Sequence, residues 1–485
     1  MPSTHTTDST RGAAGPRVRR LAVRIVVALL LLVAAGVAGL AWRGYRDDAS
    51  TGAAQAIADP AQRIAYGAYL AKVGDCMACH TVPGGQPYAG GAAIPTAFGV
   101  FHGPNITPDN TTGIGAWTED DFWRALHQGK TPSGALLYPA FPYTEYTRIS
   151  RADADALYAY LRTVPPVAQP SRPHELDFPY GWRPLLALWR GLYFQPGVHA
   201  DADTASRAME SAASTVATAP TAAAGTVATT GTTAATAPDH AAVPAATADT
   251  GELARGRYLV DGLGHCVACH APRNSLGATP SGPGLAGGVI DGLGWYAPAL
   301  DGDPVHGLGR WSQDDIVALL KTGTSAQGTA SGPMGEVVAG STRFLTDGDA
   351  RAIAAYLKSL PAGPTTAAGG VREATGMRRG SALYEQHCAQ CHAANGQGKG
   401  TDWPPLAGNI GVTASYPGNV IHMVLEGGFA PATAGNPRPH GMPPFGQVLN
   451  DDDVAAVVTY VRNSWGNAAG GVTSLQVKQA RAAGG

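Results

Sequence analysis

Hydrophobic and polar residues follow three different patterns along this chain. Residues 25–42 form an apolar stretch of 18 residues without a charge. Farther on, apolar residues recur at helical spacing in short segments separated by stretches rich in Gly and Pro. Residues 201–250 are rich in Ala, Thr and Pro and have neither an aromatic residue nor aliphatic periodicity. These patterns predict a membrane helix, several helical domains and a disordered linker.

The apolar stretch at residues 25–42 has a basic N-terminal flank. Eighteen apolar residues can just span a bilayer core, and the more basic side of such a helix belongs in the cytoplasm. The alternative is a cleaved signal peptide, with Gly39 and Ala41 before the cut. The length of the stretch favours a retained anchor, with residues 1–24 in the cytoplasm. In both interpretations the rest of the chain lies outside the cytoplasm. The flanking arginines are Arg11, Arg17, Arg19, Arg20 and Arg24.

Three segments repeat the same order of features. Each opens with a short helical pattern that ends in Cys-x-x-Cys-His, at residues 76–80, 266–270 and 388–392. Each closes with an amphipathic helix in which an Asp precedes, by seven residues, a Tyr that is followed by an aliphatic and a basic residue. The Asp fits the first turn of the helix, where the helix dipole favours a negative charge. These pairs are Asp153 and Tyr160, Asp349 and Tyr356, and Asp453 and Tyr460.

A third landmark lies between the other two, and it divides the chain into domains. It is a helix that ends in Leu-x-x-Gly, at Leu126 to Gly129, Leu320 to Gly323 and Leu425 to Gly428. The fold class is therefore mainly α, with helical domains in tandem. The predicted domains are residues 61–197, 251–362 and 372–467, with a disordered linker at 198–250 and a flexible tail at 468–485. The apolar segment 178–194 is either a docking helix, which we favour, or a membrane-surface patch.

Length, composition and charge narrow the class of protein. The 485 residues exceed what one core usually organises, which favours two to four domains. The net charge is −2, with 34 basic and 36 acidic residues and no basic run after the N-terminus, so nucleic acid is not expected as a partner. Because no flavin or nicotinamide fingerprint is evident, we expect no substrate chemistry in this chain.

The six cysteines all lie in the three repeated motifs, and Cys-x-x-Cys-His is the attachment signature of c-type haem. Two sulfurs three residues apart lie on one helical face, where they can form thioethers, and the adjoining His can bind the iron. A zinc site would need a further ligand for each motif, and a thioredoxin-like pair needs no His. We predict three covalently bound haem c groups, with His80, His270 and His392 as iron ligands. The attaching residues are Cys76, Cys79, Cys266, Cys269, Cys388 and Cys391.

A methionine thioether on the other face of the iron would stay bound in both oxidation states of the iron and would raise its reduction potential. Met334 lies 11 residues after Gly323 and 22 before its closing Tyr, and Met442 lies 14 after Gly428 and 18 before its own. These two are the predicted distal ligands. Met423 falls within a helix and is expected in the core.

The first domain has no methionine at the corresponding place. Phe141 stands 12 residues after Gly129 and 19 before Tyr160, in the segment YPAFPY. The first iron is therefore either five-coordinate or water-ligated, or it has a distal ligand that the pattern does not reveal. Three histidines of this domain carry ring nitrogens that could bind this iron instead of a methionine. His102 is expected to form a hydrogen bond near the haem edge, His127 to face solvent, and His174 could fold back from beyond the closing helix.

Several segments resemble the three-haem cytochrome c subunit of bacterial membrane-bound dehydrogenases for alcohols, gluconate or aldehydes. The resemblance implies three class I cytochrome c-type domains in the periplasm on the inner membrane. It implies a catalytic dehydrogenase partner, of the PQQ, flavin or molybdenum type, and quinone or a terminal oxidase as acceptor. It also carries over Met334 and Met442 as distal ligands and implies a methionine at 141, where this chain has Phe141. The segments are 98–117, 138–143, 264–277, 332–338, 404–409 and 449–467.

Two other functions stay open at this point. A haem enzyme or gas sensor would bind a small molecule at an open first iron. A free-standing electron shuttle would lack a fixed dehydrogenase partner.

Overall fold

The computed structural model describes residues 16–47, 57–197, 250–280, 284–290, 292–363 and 374–483. The fold is mainly helical, as predicted, and it divides into two compact units. Residues 182–195 group with the N-terminal helix, and the remaining residues form the second unit. The predicted linker lies outside the described residues except for Thr250, and so do residues 1–15 of the predicted cytoplasmic segment.

Helix α1 (Pro16–Tyr45) contains the predicted membrane stretch. Of the helices in the described ranges, it alone is long and apolar enough to cross a membrane, over Arg19–Tyr45. The helix begins nine residues before position 25, because helical hydrogen bonding continues through the basic flank.

The first repeat folds around five helices and a small sheet. Thr118 accepts a hydrogen bond from the Asp121 backbone and the Asp121 carboxylate accepts one from the Thr118 backbone, which explains why a helix begins at Glu119. The antiparallel strands lie in the order β1, β2, β3. The helices are α2 (Pro60–Val73), α3 (Cys76–His80), α4 (Glu119–Gln128), α5 (Tyr143–Tyr146) and α6 (Arg151–Leu161), and the strands are β1 (Ala93–Thr96), β2 (Gly99–His102) and β3 (Glu175–Leu176).

Helix α7 (Pro184–Tyr193) belongs to the first unit, where it packs against α1. The backbones approach so closely that a Cβ on Gly44 would lie 1.9 Å from the Ala187 carbonyl oxygen. Arg190 is buried and donates from Nε to the Gly44 carbonyl at 2.9 Å. We expected a helix that docks on a domain, but the segment packs on the predicted membrane helix α1, and residues 182–195 group with α1 and not with the predicted first domain. Apolar residues on both helices account for this pairing.

The second repeat differs from the first by one inserted residue. Tyr69 precedes Cys76 by seven residues, whereas Tyr258 precedes Cys266 by eight. A π-helical turn at Leu259–Leu263 takes up the extra residue. The elements are α8 (Thr250–Tyr258), α9 (Val267–His270), β4 (Gly288–Ile290), β5 (Trp295–Ala297), α10 (Gln313–Thr322), β6 (Thr324–Ser325), β7 (Gly328–Thr329), α11 (Pro333–Gly340), a 3-10 turn at Thr342–Phe344 and α12 (Asp347–Ser359).

The third repeat extends farther than predicted. The tail expected to be flexible forms a helix, α18, in which Val477 is fully buried and Arg481 binds Asp451. That prediction was wrong because the third core and the distant Asp451, Gly446 and Leu449 hold a short helix whose own sequence is only weakly apolar. The elements are α13 (Ala374–His387), α14 (Ala389–His392), α15 (Ile410–Thr413), α16 (Gly418–Glu426), β8 (Gly428–Phe429), β9 (Gly441–Met442), α17 (Asp451–Arg462) and α18 (Ser474–Ala483).

In all three repeats the opening helix crosses the closing helix at a glycine. A side chain there would collide with a backbone carbonyl of the closing helix, because a Cβ added to the glycine would lie 1.9–2.3 Å from the carbonyl oxygen. The crossing therefore fixes where each opening helix delivers its Cys-x-x-Cys-His. The glycines are Gly67, Gly256 and Gly380, and the carbonyls belong to Ala156, Ala352 and Ala456.

The first and second repeats share one hydrophobic core, and the third has its own. Two tyrosines link the first two repeats. Tyr258 donates to Asp153 at 2.6 Å and accepts from the Ser150 backbone at 3.0 Å. Tyr69 in turn donates to Asp349 and accepts from the Thr346 backbone at 3.3 Å. Each tyrosine thus binds the N-terminal turn of the other repeat's closing helix.

The buried carboxyl of Asp153 predicts a pH-dependent stability. Burial is the main cause that raises its pKa, to about 6 from 3.8, opposed by Arg255 and by the hydrogen bonds from Tyr258 and Ser150. Between pH 3.8 and about 6, Asp153 therefore keeps a proton in the folded chain that it releases in the unfolded chain. The resulting stability is complete below pH 3.8 and is lost as the pH rises through about 6. The gap corresponds to roughly 3 kcal/mol.

Replacing Asp153 with asparagine removes this titration. We expect the free energy of unfolding of the variant, relative to the wild type, to rise by roughly 3 kcal/mol between pH 4 and pH 8. Urea unfolding at several pH values measures this difference in the free energy of unfolding. Replacement of the exposed Asp314 with asparagine is the control, and its free energy of unfolding should stay within about 0.5 kcal/mol of the wild type at every pH. A pH-independent difference for Asp153→Asn would contradict the prediction.

Candidate haem sites

The three motif histidines are held in one orientation. In each, Nδ1 donates a hydrogen bond to a proline carbonyl, so Nε2 carries no proton and can bind a metal. Burial is the largest cause that lowers the pKa of each of these imidazoles and keeps them neutral. The pairs are His80 and Pro104 at 2.7 Å, His270 and Pro298 at 2.7 Å, and His392 and Pro404 at 3.0 Å.

The proline contacts correct one detail of the sequence register. His102, Tyr296 and Trp403 each stand two residues before a proline, and this register predicts Pro405 as the equivalent of Pro104 and Pro298. The structure places the accepting carbonyl on Pro404 instead. The loop of the third repeat is therefore one residue shorter at this point than the register predicts.

The motif cysteines are free of disulfides, and all are partly buried except Cys269, which is exposed. Burial is the largest cause that raises the pKa of Cys76 and Cys266 to about 12 and that of Cys388 to about 11. A thioredoxin-type pair needs a lowered thiol pKa, so these pairs do not fit that chemistry. Within the described ranges no three His, Cys, Asp or Glu side chains cluster as a metal site.

One cavity of about 440 Å³ brings together the predicted ligands of the second and third sites. Its walls are mainly apolar and include His270 and Met334 from the second repeat and His392 and Met442 from the third. Cys266, Cys269, Cys388 and Cys391 line it as well. The residues present therefore fit a haem at each site: thioether-forming sulfurs, a neutral imidazole and an apolar space. Met423 also lines this cavity, so the structure offers a second thioether near the third site.

An aromatic contact joins the second and third repeats beside this cavity. Trp295 stacks on His422 with ring centroids 5.1 Å apart and an interplanar angle of 14°. Asn419 fixes the contact, because its amide accepts from the Tyr296 backbone at 2.7 Å and donates to it at 2.8 Å. No sequence pattern indicated this pair, since His422 lies inside an ordinary amphipathic helix.

The first and second motifs lie close together across the interface of their repeats. The carbonyl of Gly74, two residues before Cys76, accepts from Tyr146 at 3.2 Å and from His265 Nε2 at 3.3 Å. The ring of Tyr146 packs edge-on against His265. The negative charge of Cys269 is among the causes that raise the pKa of Cys79, after burial and Asp75. The sequence did not reveal His265 as part of this junction.

The three histidines weighed as ligands of the first iron have other contacts. His102 Nε2 lies 3.2 Å from a Glu175 carboxylate oxygen, so His102 does form a hydrogen bond, while its place at the haem edge stays a prediction. His174 does fold back, and its Nδ1 accepts from the His102 backbone at 3.2 Å. His127 is fully buried and stacks on Trp123 at 4.5 Å, so the expectation that it faces solvent was wrong. Thr147, which follows α5, lies 3.5 Å from His127 Nδ1, so this face of α4 is covered by a later part of the chain.

Comparison with known proteins identifies the repeats. The cytochrome c family model matches residues 64–165, 253–361 and 377–465. The chain is 38% identical, over 437 residues, to the cytochrome c subunit of alcohol dehydrogenase (quinone) from Gluconacetobacter polyoxogenes, which covers 86% of this chain and 84% of that protein. It is 38% identical to the gluconate 2-dehydrogenase cytochrome c subunit of Pantoea cypripedii over 427 residues, covering 84% and 86%. The fructose dehydrogenase cytochrome subunit of Gluconobacter japonicus is 37% identical over 451 residues, covering 87% and 83%.

Proposed function

Because this chain belongs to the cytochrome c family, among the cytochrome c subunits of dehydrogenases, we propose that it carries electrons from a membrane-bound catalytic subunit on three covalently bound haem c groups. It is an electron-transfer subunit. The observation that supports the three sites is the threefold recurrence of Cys-x-x-Cys-His with its imidazole Nδ1 bound to a proline carbonyl. The acceptor in this proposal is quinone or a terminal oxidase.

When bound, haem supplies one-electron oxidation and reduction at iron. The chain's own residues decide where it sits and at what potential. In our proposal the six motif cysteines attach the groups, and the hydrogen bonds to Pro104, Pro298 and Pro404 orient the ligating imidazoles. Met334 and Met442 serve as distal ligands. The apolar walls of the second and third sites exclude water and favour a raised potential.

We further propose that α1 anchors the subunit in the bacterial inner membrane, with the haem domains in the periplasm. The basic flank of α1 favours this orientation. The first unit also exposes aromatic and apolar side chains at the C-terminal end of α1 and on α7, as expected at a membrane surface. Exposed residues there include Trp42, Tyr45, Trp182 and Leu192.

Purification from detergent-solubilised membranes tests the function. We expect the chain to carry three haems by intact mass and to co-purify with a large catalytic dehydrogenase subunit. The Cys388→Ala, Cys391→Ala double variant should carry two haems. A chain that carries three haems but purifies alone from membranes would instead be a free-standing shuttle. Addition of alcohols, gluconate or fructose to such membranes, followed by haem reduction, identifies the donor class.

A further inference from the structure

Residues 138–143 occupy in the first repeat the place that residues 330–334, which lead into the first turn of α11, occupy in the second. In both, a helix ends at a glycine with positive φ, Gly129 at 57° or Gly323 at 82°, and a short antiparallel bridge follows. In each repeat the segment then packs on an aromatic residue, Phe101 or Trp295. This residue stands three positions before the proline whose carbonyl binds the motif histidine. This equivalence places Phe141 at the position of Met334.

The contacts behind this equivalence come from both repeats. In the first, the rings of Phe101 and Tyr138 lie 5.2 Å apart. In the second, a Cβ on Gly332 would lie 2.7 Å from the ring of Trp295. Tyr138 precedes Phe141 by three residues, and Gly332 precedes Met334 by two. The two segments therefore pack on equivalent strands of their repeats, β2 and β5, at nearly the same sequence distance from Phe141 or Met334.

Phe141 cannot replace the thioether. Its ring is partly buried against the shared core and packs edge-on against Tyr146, with centroids 5.5 Å apart. A phenyl group has no lone pair to donate to iron. No methionine occurs between Met77 and Met209. Met77 stands between the two attaching cysteines and is 42% exposed, so it is not a candidate.

The histidines of this repeat are held elsewhere. His127 stacks on Trp123, while His102 contacts Glu175 and its backbone donates to His174. His174 also packs edge-on against Tyr138, with ring centroids 5.4 Å apart. To reach the iron, any of the three would have to leave a buried or multiply held position.

We propose that the first haem has an open distal position beside Phe141 that binds small neutral ligands such as carbon monoxide. The proposal rests on the proposed function, because it requires a haem attached at Cys76 and Cys79. The aromatic surroundings of Phe141 and Tyr146 set the ligand class. Bringing an anion such as azide among these rings costs its hydration, whereas a neutral diatomic molecule loses little.

The test is an absorption spectrum of the full-length, haem-loaded protein after reduction and exposure to carbon monoxide. We expect about one third of the haem absorbance to shift, and a high-spin signal from one haem in three in the electron paramagnetic resonance spectrum of the oxidised protein. Phe141→Met should abolish both signals while three haems remain attached. Phe141→Leu, which supplies no ligand, should keep them. Met334→Leu should double the response to carbon monoxide.

Two outcomes are distinguishable. If mass spectrometry finds no haem at Cys76 and Cys79, the proposed function fails at its first site. If all three haems are attached and carbon monoxide changes nothing, the proposed function stands and the open position is overturned, with a side-chain nitrogen as the ligand. Lys130, buried in the bridge that follows Gly129, is the first to replace in that case, because Lys130→Met would then alter the spectrum.

Discussion

Replacing Asp349 with alanine is expected to destabilise the folded chain by about 3–5 kcal/mol, because it removes the carboxylate that binds the buried Arg255 guanidinium through two hydrogen bonds. Arg255 donates to both carboxylate oxygens of Asp349, from Nε and Nη2 at 2.8 Å each. The two side chains are only 6% and 5% exposed. Burial by itself would raise the pKa of Asp349, but the hydrogen bonds and charge of Arg255, with the Tyr69 hydroxyl, hold it below its usual value.

Urea unfolding of the full chain at neutral pH measures this loss. Tyr69→Phe is the matched control: it removes one hydrogen bond to the same carboxylate, keeps the ion pair, and should cost about 1 kcal/mol. The double variant Arg255→Met, Asp349→Leu removes both charges and should recover most of the stability, as apolar replacement of buried pairs often does. A loss below 1 kcal/mol for Asp349→Ala would mean that water reaches Arg255 and that the interface is loose.

The Asp349 site also marks the limit of what the repeat pattern predicts. The pattern placed Asp153, Asp349 and Asp453 in the first turns of closing helices, and all three lie there. It gave one reason, the helix dipole. The structure adds a different partner for each: Asp153 binds Tyr258, Asp349 binds Arg255 with Tyr69, and Asp453 binds Arg379. Local sequence fixes the helix ends, whereas these partners lie 74 to 280 residues away.

The same contrast holds around the candidate sites. Capping boxes such as that of Ser312 and Asp315 could be predicted, because four neighbouring residues form them. The stack of Trp295 on His422 could not, because it depends on how two repeats dock. The prediction of a flexible C-terminal tail was wrong for the same reason. Helix α18 is held by Asp451 and by the core of the third repeat, and its own sequence is only weakly apolar.

Replacing Met442 with leucine is expected to lower the potential of one haem in three by on the order of 100 mV, because thioether ligation raises the potential of c-type haem. Leucine conserves volume, so the packing of Met442 against the third core should change little. A spectroelectrochemical titration of the full-length protein measures the shift. The oxidised variant should also show a new high-spin haem signal.

Met423→Leu is the control that makes this prediction decisive. Met423 and Met442 line the same cavity, and the Met423 sulfur lies 3.8 Å from the Cβ position of Gly428, the strand partner of Met442. Proximity alone therefore does not select the ligand. Met442 lies in a strand of two residues and Met334 in the first turn of α11, whereas Met423 lies in the interior of α16. If Met423→Leu lowers the potential and Met442→Leu does not, the helix supplies the ligand, and the register that selects both Met442 and Phe141 fails with it.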